Sequence, residues 1–403
     1  MGPGYWRLWT SSGLSNLADG TFKVSLPLIA IRFTHSPTLI AGLAFALTLP
    51  WLLFALHAGA LADRFDRRRA MLGANMVRTA LVAVLVLVMV LQLASIWMLY
   101  AIALCIGTTE TIYDTSAQSI LPQLVSRDQL SRANGKLYSA ELTANQFIGP
   151  PLGGLLVAVG ATAAFVTPVA LWVAAVGALL LVRGPFRIAR TGPTTLRADI
   201  IEGLHFLWHQ RVLRTLAVVT GIFNLATNAT FAVFVLYAVG PTSAMRLSAT
   251  AYGVLLMALA GGSLLGSFVA ERVEKLLGRS RSLALNYVAS ALLVGTPALT
   301  TNPYLIGAAF VLGSITIVIS NVIVVSLRQR VTPDRLLGRV NSGYRLVAWG
   351  TMPLGAAIGG GLAEVLGLRA VFAVMALLML GLLGFLPSLS NSAMSAAESQ
   401  GPQ

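Results

Sequence analysis

Residues 39–92 read LIAGLAFALTLPWLLFALHAGALADRFDRRRAMLGANMVRTALVAVLVLVMVLQ: two apolar runs, 39–61 and 70–92, joined by Ala62-Asp63-Arg64-Phe65-Asp66-Arg67-Arg68-Arg69. Each run has about the 20 residues that an α-helix needs to cross the hydrocarbon core of a bilayer. Neither run shows the strict alternation of a membrane β-strand. In hydrocarbon each backbone polar group must be satisfied within its own segment, so runs of this kind are helices.

The rest of the chain repeats this pattern. Hydrophobic residues make up 56% of the 403 and charged residues only 10%, well below the roughly 25% charged of a soluble domain. Twelve spans fit, at 8–33, 39–61, 70–92, 97–121, 137–159, 162–182, 214–239, 249–270, 282–300, 303–326, 344–365 and 370–387. The first run carries Asp19 and Lys23 and lacks a small-residue cleavage site, so it reads as a span rather than a cleaved signal. The tail from Ser388 is polar and rich in Ser and Ala, and is expected to be disordered.

Charge placement orients the chain. With the N-terminus inside, 23 of the 28 Lys and Arg residues fall in cytoplasmic segments. Arg32, Arg246 and Arg369 flank the other side, and Lys23 and Arg78 lie within spans. The expected location is a bacterial inner membrane, and the positive-inside rule then places both termini in the cytoplasm. It also accounts for the net charge of +14 without nucleic acid, because these cations face anionic lipid. The single Cys105 lies in an apolar run and no metal-ligand spacing is present. With no phosphate-binding Lys-Ser or Lys-Thr loop and no nucleophile motif, an enzyme is not expected, nor is a bound cofactor.

The two halves repeat. Adding 207 pairs Leu130 with Leu337, Arg132 with Arg339, Asn134 with Asn341, Gly153-Gly154 with Gly360-Gly361 and Gly160 with Gly367. The expected organisation is a six-helix half at 1–182, a linker at 183–213, a second half at 214–387 and the tail at 388–403. Within the linker, Ile200, Ile201, Leu204, Leu207 and Trp208 fall on one helical face, the pattern of an interfacial helix.

Two motifs connect these spans to a family. Gly59, Asp63, Arg64, Arg67 and Arg68 in the loop after span two resemble the loop signature of the major facilitator superfamily, with Asp66 where that family usually has Gly. Gly149-Pro150-Pro151-Leu152-Gly153-Gly154 in span five resembles the antiporter signature of the superfamily's exporters, and the second half keeps the glycines without the Gly-Pro. Leu121-Pro122 with Leu124-Val125, and Leu130-Ser131-Arg132-Ala133-Asn134-Gly135, are similar to the branch containing macrolide efflux proteins and the enterobactin exporter. The resemblance implies the twelve-helix, two-half fold, a cytoplasmic gating latch at the first loop, and export through a central cavity lined by spans one, four, seven and ten.

Within that frame the intramembrane charges are the candidate machinery. A charge at the bilayer centre costs roughly 3 kcal/mol on insertion scales, so it persists only with a partner, water or a proton. Asp19 of span one, and Glu110 and Asp114 of span four, are the candidate proton-coupling carboxylates, Glu110 first. Lys23 and Arg78 are the candidate partners, and static Asp19–Lys23 and Asp114–Arg78 pairs are the structural alternative. Asn224, Asn228 and Phe231 of span seven and Asn321 of span ten are candidate cavity groups, alongside Phe234 and Tyr237.

The expected function is a monomeric, proton-coupled exporter of small lipophilic or amphipathic molecules, in contact with membrane lipids and drawing on no cofactor beyond the proton gradient. A dedicated exporter of one metabolite, such as a siderophore or self-made antibiotic, and a non-transporting sensor or scaffold remain as alternatives.

Overall fold

The computed structural model describes residues 1–64, 66–126, 129–182, 184, 186, 196–333 and 336–399, with side-chain surroundings left aside at 55–64, 118–119, 122, 131, 196–200 and 338. Helices dominate it. In chain order they are α1 (Pro3–Ala30), α2 (Pro37–Arg64), α3 (Arg67–Val90), α4 (Ile96–Ile120), α5 (Leu130–Glu141), α6 (Gly149–Val159), α7 (Ala161–Leu180), α8 (Leu196–His209), α9 (Arg211–Ala238), α10 (Ala249–Leu277), α11 (Arg279–Leu299), α12 (Pro303–Val331), α13 (Leu337–Trp349), α14 (Thr351–Leu366), α15 (Leu368–Gly381) and α16 (Asn391–Ser399).

Eleven spans among the described residues are long and apolar enough to cross a membrane, with α5–α6, α13–α14 and α15 onward each forming one span. The twelfth is α1. At 28 residues it is long enough, and it misses on polarity because it carries the buried Ser11, Ser12, Ser15, Asn16 and Asp19. Those groups face protein rather than lipid, which is how a polar helix is tolerated in a membrane.

The chain forms two compact units, Met1–Gly192 with Val235–Met257, and Pro193–Phe234 with Ala258–Gln403. In the first, α1 packs on α6 and α7, and α3 and α4 pack on each other. Helices in lipid gain little from the hydrophobic effect and associate by close packing at small residues. A Cβ on Gly149 would stand 2.8 Å from the Cα of Gly20, and one on Gly153 2.8 Å from the Thr21 carbonyl oxygen, so α6 lies directly against the backbone of α1. In the second unit, α11 packs on α12 and α15, α13 packs on α8, and α14 packs on α15.

Several expectations are corrected at this level. The expected disorder of the tail does not hold over Asn391–Ser399, which is helical, with Met394 and Ala397 buried. Its Asn391 side chain accepts from the Ser280 N–H at the start of α11 at 3.0 Å, and Glu398 takes Arg279 at 2.9 Å and Arg330 at 3.4 Å. A polar composition allowed disorder; two basic partners and a helix N-terminus held it in place.

Within the linker, Leu196–His209 is helical. Leu207 is buried while Ile201 and Trp208 are exposed. Gly203 sits against the Arg339 backbone of α13, and Glu202 pairs with Arg339. A polar contact and a close approach at one glycine join this helix to α13.

The repeat is also one residue out of register in span five. Gly355 and Gly359 meet Leu225 and Ala229 of α9 as Gly149 and Gly153 meet α1, one position short of the sequence offset. The first half accommodates its extra residue in a π-helical stretch, Leu142–Ile148, just before Pro150. A π turn is how a helix absorbs a one-residue insertion, and the missing Pro150 N–H favours it there.

Candidate functional site

The buried charges gather in the first unit. Asp19 on α1 holds the Arg78 guanidinium of α3, with Nη1 donating to both carboxylate oxygens at 3.2 Å. Trp172 on α7 donates its indole N–H to the same carboxylate at 3.2 Å. Arg78 donates further to Thr109 on α4 at 3.2 Å and to Ser15 and Asn75 at 3.4 Å, and its guanidinium lies 5.2 Å from the centre of the Tyr113 ring. The side chains of Arg78 and Asp19 are 0% and 5% exposed. Buried charge survives here because both ions are paired and further hydrogen-bonded, which offsets their desolvation. The cluster ties four helices together.

A second pair lies alongside. Lys23, one helical turn beyond Asp19, donates to Glu110 on α4 at 2.6 Å. Its side chain is 36% exposed and that of Glu110 13%. Asp114, one turn further along α4, is half-buried and makes no hydrogen bond or ion pair among the described residues. Glu110, Arg78, Asp19, Glu141 and Lys23 are charges within its electrostatic reach.

The pairing therefore differs from both static pairs set out as the alternative. Arg78 takes Asp19 rather than Asp114, and Lys23 takes Glu110 rather than Asp19. The helical spacing of Asp19 and Lys23 permits a bond, but the shorter aspartate is already engaged by a rigid guanidinium fork, and the long lysine reaches across to α4. Trp172 had no sequence signal beyond being an indole in an apolar run; a buried indole N–H needs an acceptor, and the acceptor lies 153 residues away in the chain.

The loop after span two is partly described. Gly59, Asp63 and Arg64 lie outside the residues whose side-chain surroundings are described. Beyond them, Asp66 caps α3 by accepting from the Arg69 N–H at 3.0 Å, and its other oxygen accepts from the Phe186 N–H at 3.0 Å. Asp66 has φ −63°, so no glycine conformation is required where the family pattern has Gly. Arg68 donates to the Leu179 and Leu180 carbonyls at the end of α7, at 3.1 and 2.9 Å, and Arg67 is buried. Lone carbonyls at a helix C-terminus are natural acceptors for arginine.

The span-five motif is a packing element on two sides. Gly149 and Gly153 face α1, and Gly154 meets the Ala249 backbone at the start of α10, whose Gly253 in turn meets the Pro150 carbonyl.

In the second unit Asn224 donates to the Ala348 carbonyl at 2.7 Å, and Asn228 donates to the Asn224 carbonyl at 3.1 Å. Half-buried Phe231 packs edge-on and tilted against Phe234 and Phe310. Phe234 and Tyr237 are fully buried, which makes them core residues rather than lining. Asn321 is exposed.

A family model described as transmembrane secretion effector matches residues 4–401. This chain belongs to that family of the major facilitator superfamily. Within the superfamily, the multidrug efflux pump Tap of Mycobacterium tuberculosis is 30% identical over 399 residues, covering 93% of this chain and 90% of Tap. The enterobactin exporter EntS of Shigella boydii is 24% identical over 375 residues, covering 90% of this chain and 86% of EntS. Among solved structures, a bacterial homologue of the iron transporter ferroportin superposes with a TM-score of 0.75 at 15% identity, covering 98% of this chain and 99% of that one. A variant of the nucleoside transporter NupG superposes at 0.78 with 11% identity, covering 96% and 99%. These structures share the major facilitator fold. The chain is accordingly a multi-pass membrane transporter of small molecules.

Proposed function

We propose that this transporter is a proton-coupled exporter, an antiporter that moves small lipophilic or amphipathic molecules out of a bacterial cell by alternating access of its two halves. The observation that carries this reading is the contrast between the two ion pairs. Asp19–Arg78 is sealed and cross-linked to four helices. Lys23–Glu110 is partly open, and Asp114 beside it makes no ion pair among the described residues. A carboxylate that can exchange a lysine for a proton has two states of different net charge, and a bistable fold can be biased by that difference. Glu110 and Asp114 carry the proton in this reading, Lys23 answers the vacated charge, and Asp19 with Arg78 holds the helices that present them.

Export as the direction is supported by the named activities of Tap and EntS and by the Gly149-Pro150 motif. The cargo meets the apolar wall of Phe231 with the polar edges of Asn228 and Asn321. The distribution of Lys and Arg supports an inner-membrane location with both termini cytoplasmic. A narrower reading, export of one metabolite, is favoured by the similarity to EntS.

The test is transport in proteoliposomes under an imposed pH gradient, comparing the native chain with E110Q and D114N over a panel of lipophilic dyes and drugs and one catecholate siderophore. Loss of gradient-driven transport in either variant, with facilitated exchange retained, is the expected result. Native rates in both variants end the coupling reading; transport confined to the siderophore selects the narrower one.

A further inference from the structure

The second unit holds a cation with no counter-charge among the described residues. Arg328 lies in the last turn of α12, half-buried, inside a candidate span. Among the described residues its guanidinium donates no hydrogen bond and meets no carboxylate, and its Nε is buried without a partner. The guanidinium lies 4.2 Å from the centre of the Tyr344 ring of α13. That ring is itself fixed: the Tyr344 hydroxyl and the Thr220 hydroxyl of α9 are 2.6 Å apart. The other charge within electrostatic reach is Arg345, also a cation. One turn beyond, Thr332 is 4% exposed, with its hydroxyl buried and unpaired.

The first half shows that the fold does not need a charge at this point. The 207-residue repeat places Leu121 at the position of Arg328. Leu121 is fully buried in an apolar cluster with Tyr5, Leu8, Ile120 and Leu137. A leucine therefore fills the equivalent site, and the arginine is an addition. Desolvating a guanidinium without a partner is costly, and an aromatic face offsets only part of that cost. What matches the remaining N–H groups is a planar or tetrahedral oxyanion, which guanidinium binds in a two-pronged fashion.

We infer that Arg328, held on Tyr344 and flanked by Thr332, is a binding site for a single oxyanion, a carboxylate or phosphate group. Two sources share that chemistry: the headgroup of an anionic phospholipid, and a free soluble acid such as a cargo molecule would carry. The site shares no residue with the carboxylate cluster of the first unit and does not depend on proton coupling.

The test uses the full chain purified in a neutral detergent, with the native protein, R328L and R328K compared. Binding of dioleoyl-phosphatidylglycerol, with phosphatidylcholine as the reference lipid, is read by native mass spectrometry, and binding of inorganic phosphate by the shift in melting temperature. R328L places the first half's own residue at this point and is expected to melt no lower than the native chain without anion. R328K keeps the charge and loses the fork. Loss of a charge-assisted hydrogen-bonded contact weakens binding by about tenfold or more. A loss of that size in R328L, with R328K between, is the expected result. If phosphatidylglycerol alone discriminates the variants, the ligand is a lipid headgroup; if phosphate does, it is a soluble acid. Equal binding of both probes by native chain and both variants overturns the site, and should R328L fail to fold, the same comparison is decided by R328K.

Discussion

Lys23 on α1 and Glu110 on α4 hold each other at 2.6 Å, one helical turn from the Asp19–Arg78 pair that locks the same two helices to α3 and α7. Two ion pairs of opposite accessibility thus lie side by side. The buried one is further bonded by Thr109 and Trp172, with the Arg78 Nη2 left unpaired, whereas the Lys23 side chain of the other is 36% exposed. Their separate roles are testable by substitution.

Neutralising one member of the sealed pair leaves the other buried and unpaired. Asp19→Asn or Arg78→Met is expected to lower stability by about 3–5 kcal/mol. The double substitution Asp19→Leu with Arg78→Met recovers much of that loss. Thermal melting of purified protein in detergent measures both, and additive effects of the two changes count against a mutual role.

Asp114 carries no such structural burden. Asp114→Asn is expected to change stability by no more than about 0.5 kcal/mol, the range for substitutions that break no partnered contact. Its effect falls on transport, where the dependence of rate on external pH flattens. Under the proposed coupling, export by the native chain is expected to rise as external pH falls, because proton entry from outside favours release of cargo and deprotonation inside resets the carboxylates. A native pH profile in D114N assigns the proton to Glu110 alone.

The span-five glycines answer to geometry. Gly153→Leu drives a side chain into the Thr21 carbonyl and the Val24 side chain, and overpacking of this kind costs about 1–3 kcal/mol. Gly135→Ala, where a Cβ meets open space within α5, is expected to be neutral or stabilising by up to about 1 kcal/mol. Melting temperatures moving in opposite directions separate packing from any general intolerance of change.

The C-terminal helix is held by the Asn391 cap and the Glu398 bridge. Asn391→Ala removes a bond to the start of α11 and is expected to cost about 1 kcal/mol, while Glu398→Gln removes two partly exposed ion pairs worth no more than about 1 kcal/mol in sum. Hydrogen exchange over 391–399 is the measurement, and increased exchange confined to that segment in N391A is the expected outcome.

Much of this was legible in one dimension. The length and apolarity of the runs required helices, since lipid satisfies no backbone group. The 207-residue repeat exposed two halves, and the glycines of span five marked a close helix contact. Asp19, Lys23, Arg78, Glu110 and Asp114 stood out because charge in an apolar run is costly wherever it occurs. That argument depends on residue type and span alone.

Partnership was not legible. Asp19 is four residues from Lys23, yet it is bound to Arg78 and Trp172, because the rotation of α3 and α7 about their axes brings those groups to it. Whether the tail would order depended on Arg279 and Arg330 arriving from two different helices. The arginine at 328 looked like one more cytoplasmic charge until α13 placed Tyr344 against it, with no acid beside it among the described residues. Composition and periodicity decide which segments leave water and what that costs. Which side chains then meet depends on helix rotation and register, and these are set by contacts between residues far apart in the chain, so only the folded packing decides them.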